Sequence, residues 1–269
     1  MPTPNDAMIK GMESYFPRLS SPSYTAGNVA SLFLQLPFIR AYWPMSANGL
    51  NAGAILLRDV AGRLDLTVSP SCSLGYDRLA PYASFLRASS QYAAYPDNEH
   101  FDVIGTEAYM LNPGLTLGGW LYFDSLVSGQ GIASKYYSTT NQRAYRLYQS
   151  DAGGSIRFSV SNTGAADISV TIAAATSGMI ARYWRFIVAR YSPSRELKIW
   201  NNSTTNEYYE INTTSIPASL FNSTEPFELA RSNRTGYFNG KFSNWFFAAG
   251  YLSDSQIWNL WQNTRYLYI

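Results

Sequence analysis

The acidic residues are the first place to look for chemistry. Cleaving a glycosidic bond with retention takes two carboxyl groups on one face, roughly 5–5.5 Å apart. Three short runs bring acids near one another: Glu207-Tyr208-Tyr209-Glu210, Glu225-Pro226-Phe227-Glu228 and Asp97-Asn98-Glu99-His100-Phe101-Asp102. Side chains alternate faces along a strand, so a spacing of three sets the members of each Glu pair on opposite faces. Pro226 breaks the second pair further, and Pro96 marks the third run as a loop. The chain is therefore read as non-enzymatic. The loop suits a different task. Asp97, Asn98, Glu99 and Asp102 supply the hard oxygen ligands of which calcium takes roughly six to eight, and Asp59 and Asp124 could join them if their loops meet. A hydrated acidic loop that keeps a rim soluble is the other reading. The sequence requires no cofactor and leaves calcium as the one open candidate.

Nucleophilic chemistry has little to work with. The chain holds one His, His100, and one Cys, Cys72. That excludes a Cys/His zinc site and an intrachain disulfide framework. Neither a Gly-x-Ser-x-Gly elbow nor a phosphate-cradling Gly-rich loop before a helix is present. Aromatic residues are the richer resource, with 21 Tyr and 7 Trp. Such rings stack on sugar faces and anchor protein interfaces. Tyr136-Tyr137 and Tyr208-Tyr209 each turn at least one ring outward if extended, and Trp258 and Trp261 share one side of a helix. Trp261 reads as burial against the body. Tyr136, Tyr137, Tyr208, Tyr209 and Trp258 are thus the candidate carbohydrate- or partner-binding residues.

Those residues sit on short alternating runs cut by turn residues. In Leu115–Phe123, Leu115, Leu117, Leu121 and Phe123 share one face, and Thr116, Trp120 and Tyr122 the other. In Arg182–Tyr191, Trp184, Phe186 and Val188 point one way, Arg185 and Ile187 the other. Runs over 155–161, 196–200 and 237–248 behave likewise, separated by Asp151-Ala152-Gly153-Gly154, Ser192-Pro193-Ser194 and Asn201-Asn202-Ser203. Many short strands about ten residues apart predict an all-β sandwich or barrel. One helix is expected near the C-terminus, where Ser253 and Gln256 have capping-box spacing. A lone helix after many strands is expected across the sandwich edge or rim. Residues 1–34 carry Pro2, Pro4, Pro17 and Pro22 and read as an extended docking arm or a disordered tail. Tyr15, Phe16, Leu32 and Phe33 are the arm's anchors, and residues 27–40 could add a short helix or strand. The body is 35–269.

The order of these pieces resembles the laminin-G-like, concanavalin A-like jelly roll of legume lectins, pentraxins and many glucanases. The resemblance runs over residues 38–265. It rests on Ala41-Tyr42-Trp43-Pro44-Met45, Asp59-Val60-Ala61-Gly62, Leu115-Thr116-Leu117-Gly118-Gly119-Trp120 and Ile132-Ala133-Ser134-Lys135. Tyr183-Trp184-Arg185-Phe186, Leu197-Lys198-Ile199-Trp200, Asn239-Gly240-Lys241-Phe242 and Leu252-Ser253-Asp254-Ser255-Gln256-Ile257 complete it. It implies an antiparallel β-sandwich jelly roll, to which the residue pattern adds an extended N-terminal arm and a short C-terminal helix. Calcium in loop sites is also implied by the resemblance. The paired acids of the family's glucanases, an E-x-D-x-x-E run, are absent.

Composition narrows the partners. The 269 residues are 14% charged, with 20 Lys+Arg against 18 Asp+Glu. A net +2 gives no basis for binding a nucleic-acid backbone, and no run reaches the roughly 20 apolar residues of a membrane span. The start, with acids and prolines, does not read as a secretory signal. A chain acting outside the cell would then leave by lysis or inside a particle. The uncharged, Ser/Thr/Asn-rich body resembles structural proteins of tailed bacteriophages. The expected role is a non-enzymatic virion component, as capsid decoration, collar or tail-fibre module. Its partners would be capsid or tail subunits and cell-surface glycans, and it would form a homo-oligomer, trimers included. A calcium-assisted lectin is the alternative, and a glycan hydrolase a more distant one.

Overall fold

A computed structural model describes residues 26–46, 50–51, 54–103 and 112–269. Tyr15 and Phe16 lie outside the described residues. Two antiparallel sheets stack face to face, as the alternating runs predict. Numbered in chain order, the first sheet holds β1 (Ile39–Trp43), β5 (Ser73–Asp77), β6 (Ala80–Phe85), β8 (Leu115–Phe123), β13 (Trp184–Ser192), β14 (Glu196–Asn202), β15 (Tyr209–Asn212) and β17 (Gly240–Ala248). The second holds β2 (Leu50–Asn51), β3 (Ala54–Leu57), β4 (Leu66–Ser69), β7 (Tyr92–Tyr95), β9 (Gly131–Tyr137), β10 (Gln142–Gln149), β11 (Ile156–Gly164), β12 (Ile168–Ile172) and β16 (Phe227–Leu229). Helices are α1 (Ala26–Leu34), α2 (Ala174–Ser177) and α3 (Asp254–Thr264). The strand order is β15-β14-β13-β8-β17-β6-β5 in one sheet and β12-β11-β10-β9-β16-β7-β4-β3-β2 in the other. Strand β17 meets β6 through Gly240–Phe242 and β1 through Trp245–Ala248. The change of partner falls at a bulge, where Asn244 takes a positive φ of 48°.

The side-chain alternation sorts into two apolar layers. Leu115, Leu117, Leu121 and Phe123 enter the space between the sheets, facing Tyr145, Leu147, Phe158 and Phe227. The opposite parity, Trp120 with Phe186, Val188 and Trp200, forms a second layer on the outer face of the first sheet. Helix α3 covers it with Ile257, Leu260 and Trp261. The helix therefore lies across a sheet face and not at the edge or rim. The reason is that β8, β13 and β17 are apolar at both parities, and a sheet with two apolar faces needs cover on both. Trp120 Nε1 donates to Thr264 Oγ1 at 2.8 Å, pinning helix to sheet. The capping box is present: Gln256 N donates to Ser253 Oγ, and Ser253 N to Gln256 Oε1. Strands β8 and β13 can approach only because residue 118 is glycine; a Cβ there would sit 2.4 Å from the Ile187 carbonyl oxygen.

From Ala26 on, the segment read as an arm is helix α1, laid on the body. Val29 and Phe33 fall on one face and, with Leu36 just past the helix end, join the same outer layer. Phe33 is buried and stacks on Tyr42 with centroids 4.6 Å apart.

Candidate binding faces

The acidic loop has a cation at its centre. Lys135, wholly buried at the end of β9, reaches Asp102 at 2.6 Å and also pairs with Asp97. Its Nζ donates to the Ser223 carbonyl at 2.5 Å, and the Asn222 amide, turned to donate, lies 3.1 Å from Asp102. Burial pushes the Asp102 carboxyl above its usual range, against the pull of Lys135. Asn98 is not free for a ligand either, since its Oδ1 accepts from His100 N at 3.0 Å. The acidic loop proposed for calcium is thus built around an ammonium. Elsewhere Arg190 bridges Glu196 and Asp254. Arg231 and Arg234 pair with Glu228 and Glu225. Asp59 spends both oxygens on backbone N–H groups: Tyr42 and Ala61 donate to Oδ1, Gly62 and Leu64 to Oδ2. That carboxylate ties a turn. Among the described residues, no group of three or more His, Cys, Asp and Glu could hold a metal.

The predicted aromatics divide by burial. Tyr209 is 54% exposed on edge strand β15, with Lys198 Nζ 4.2 Å from its ring. Trp258 is 36% exposed on α3. Tyr208 is half-buried against the inter-sheet core. Tyr137 is half-buried beneath the Arg234 guanidinium, 4.1 Å from its centroid. Tyr136 does face outward from the second sheet, yet it is buried, because Arg146 from the neighbouring strand lies 4.1 Å from its ring. Its hydroxyl donates to Asp167 Oδ2 at 2.8 Å, and burial pushes its pKa up to about 12. Leu32 lines a cleft of ≈170 Å³ with Leu36, Pro37, Gln256 and Leu260 between α1 and α3. That is below the roughly 300–1,000 Å³ of a ligand pocket. Asn201 and Asn202, which open Asn-x-Ser/Thr triplets, are buried.

A more favourable surface lies beyond the two helices, on the outer face of the first sheet. Cross-strand register aligns Trp184, Tyr122 and Lys241 on β13, β8 and β17. Lys241 Nζ stands 4.4 Å from the Tyr82 centroid and 4.7 Å from that of Tyr122. It lies 3.7 Å from Asp77, whose Oδ2 also accepts from Trp184 Nε1 at 3.0 Å. Tyr82 sits across Gly75, where a Cβ would come within 2.7 Å of its hydroxyl. Half-buried rings beside a fixed acid and ammonium can stack on a sugar and exchange hydrogen bonds with its hydroxyls. Sequence reading missed this group because its members come from five strands. The available signal was the tyrosine at outward parity in the run containing Leu121 and Phe123.

No protein family matches the sequence, and no curated protein does. Solved structures do match. The botulinum neurotoxin serotype G binding domain aligns with a TM-score of 0.62 at 10% identity, covering 84% of this chain and 51% of that one. The binding domain of Paraclostridial Mosquitocidal Protein 1 gives 0.60 at 11%, covering 84% and 52%. Domain 4 of AbnA, a GH43 extracellular arabinanase from Geobacillus stearothermophilus, solved with arabinotriose, gives 0.55 at 10%, covering 82% and 97%. What is shared is the two-sheet β-sandwich. The chain spans about half the length of the toxin binding domains it matches.

Proposed function

We propose that this chain is a non-catalytic adhesion module that grips carbohydrate. The observation that carries the reading is the half-buried Tyr82–Lys241–Tyr122 group with Asp77, anchored beneath by Trp184, which is itself buried against Tyr268. Ion pairing of Asp97 and Asp102 with Lys135, Glu196 and Asp254 with Arg190, Glu228 with Arg231 and Glu225 with Arg234 supports it further. A glycosidase needs a protonated carboxyl and a free carboxylate facing one another across the sugar, and at Asp97 and Asp102 the space between the acids holds Lys135. The two toxin domains are described as binding domains, and domain 4 of the arabinanase was solved with arabinotriose. The setting we propose is a particle, with the module serving as capsid decoration, collar or fibre component of a tailed bacteriophage. The Ser/Thr/Asn-rich, weakly charged body supports that setting. Finding the chain by mass spectrometry in purified particles would bear it out, and finding it only in the soluble cell fraction would end it.

A glycan array tests the binding itself. Tyr82→Ala is expected to weaken binding about tenfold, the loss of one stacked ring, at unchanged melting temperature. Binding is expected to persist in chelator, because an ammonium already sits between Asp97 and Asp102. Loss of binding in chelator would favour the calcium-assisted lectin; a Tyr82→Ala protein that binds like the parent would remove this surface from the account.

A further inference from the structure

We infer that the outer face of the second sheet is a site for carboxylate-bearing polysaccharide of the polyuronate class. This rests on the reading of the chain as a glycan-binding module and gives it a second, chemically distinct surface. The site is a stack. Arg143, Tyr136, Arg146 and Tyr148 follow one another, with guanidinium carbons 5.9 and 4.1 Å from the Tyr136 ring and 4.2 Å from the Tyr148 ring. Arg157 extends it, its Nε donating to Thr171 Oγ1 at 2.9 Å and its Nη1 approaching the Tyr148 hydroxyl at 3.5 Å.

The stack depends on an irregularity. Residues 143 and 146 are three apart and belong on opposite faces of a regular strand. Between Arg143 and Tyr145 the register of β10 shifts against both β9 and β11. The extra residue at this bulge brings both arginines to the same side. There they bracket one carboxylate, with Arg146 Nη2 at 3.0 Å and Arg143 Nη1 at 4.0 Å from Asp167.

Charge decides what such a face would take. Arg231 gives Nε and Nη2 to Glu228, and Arg234 gives Nε and Nη2 to Glu225, so those two guanidiniums are neutralised by forked pairs. The stack has three guanidiniums and a single acid, Asp167. The register neighbours of Arg146 are Ser134 and Ser159, which add no charge. Arg143 Nε and Arg146 Nε are buried and have no partner among the described residues, so the outward Nη edges are what a ligand would meet. Each guanidinium gives a donor to the protein, Arg143 to the Ala165 carbonyl, Arg146 to Asp167 and Arg157 to Thr171, while tyrosine stacking holds the planes of Arg143 and Arg146 without using up more. A planar fork already fixed in place loses little entropy when a carboxylate docks. Buried rings offer no free face for a neutral sugar, so the carboxylate, and not ring stacking, would be what is recognised.

The test uses the full chain against polygalacturonate, alginate and hyaluronate, with methyl-esterified polygalacturonate as the uncharged counterpart and the neutral glycans of the array beside them. The expected result is binding to at least one polyuronate, weakening with salt. For polygalacturonate, esterification should abolish it. The Arg143→Gln/Arg157→Gln double variant should bind about tenfold or more weakly while neutral-glycan binding stays intact. Equal binding of acid and ester forms, parental affinity in the double variant, or no binding to any of the three polymers would overturn the inference. Retained neutral-glycan binding in that last case would leave the broader reading standing. Absence of both would remove the two together. The esterification comparison uses unmodified protein, so it holds even if the double variant folds poorly.

Discussion

A wholly buried ammonium must be matched by its surroundings, and Lys135 has Asp97, Asp102 and the Ser223 carbonyl for that purpose. Replacing it by Ala would leave the half-buried Asp102 without its counter-charge. The expected cost is about 3–5 kcal/mol, read by urea unfolding; a loss below about 1 kcal/mol, the value of an exposed pair, would show that the site is solvated. The sequence presented Lys135 within a recognisable strand motif and the acids within a loop. It could not show that the two meet, because they lie in separate segments closed over one another by the fold. The same blindness affected the tyrosines. That Tyr136 turns outward was readable from period-two alternation. That Arg146 would lie over it was not, since cross-strand register and a bulge decide it.

At the scale of elements, the strands were legible and the helices only half so. Alternation located β8, β13 and β14, and Ser253 with Gln256 located the start of α3. The apolar residues at both parities of β13, from Trp184 to Tyr191, held the missing information that this sheet is covered twice. Helix α1 is part of that cover. Truncating Phe33 to Ala should cost about 3–5 kcal/mol, because its ring is buried against Tyr42 and Phe246. A surface-like loss under about 0.5 kcal/mol in chemical denaturation would instead return Phe33 to the role of a free arm anchor. Helix α3 adds a pH signature. Asp254, in its first turn, feels burial that raises its pKa, but the Lys198 hydrogen bond and the charges of Arg190 and Lys198 hold it below the ordinary 3.8. Its stabilisation is therefore complete above that value and drains as pH falls through the lower folded pKa. Asp254→Asn should be less stable than the parent at neutral pH, and the gap in melting temperature should narrow as pH falls below the ordinary carboxylate range. A gap that stayed constant with pH would mean that the charge contributes nothing.

For the molecule as a whole, the sandwich divides its surfaces. One sheet is closed by helices except at the Tyr82–Tyr122 end, and the other carries arginines stacked on tyrosines. No helix among the described residues is long and apolar enough to cross a membrane. Composition and strand pattern carried the architecture. They could not carry the surfaces, because Trp184, Tyr122, Lys241, Tyr82 and Asp77 converge only once five strands are in register.

The most direct measurement follows binding and bond cleavage together: titrate the chain with array-positive polysaccharide and assay the same samples for new reducing ends. The account predicts saturable binding, weakened by Tyr82→Ala, with no release of reducing ends above buffer. Saturable binding accompanied by enzyme-dependent release, or no binding across neutral and acidic glycans alike, would contradict it.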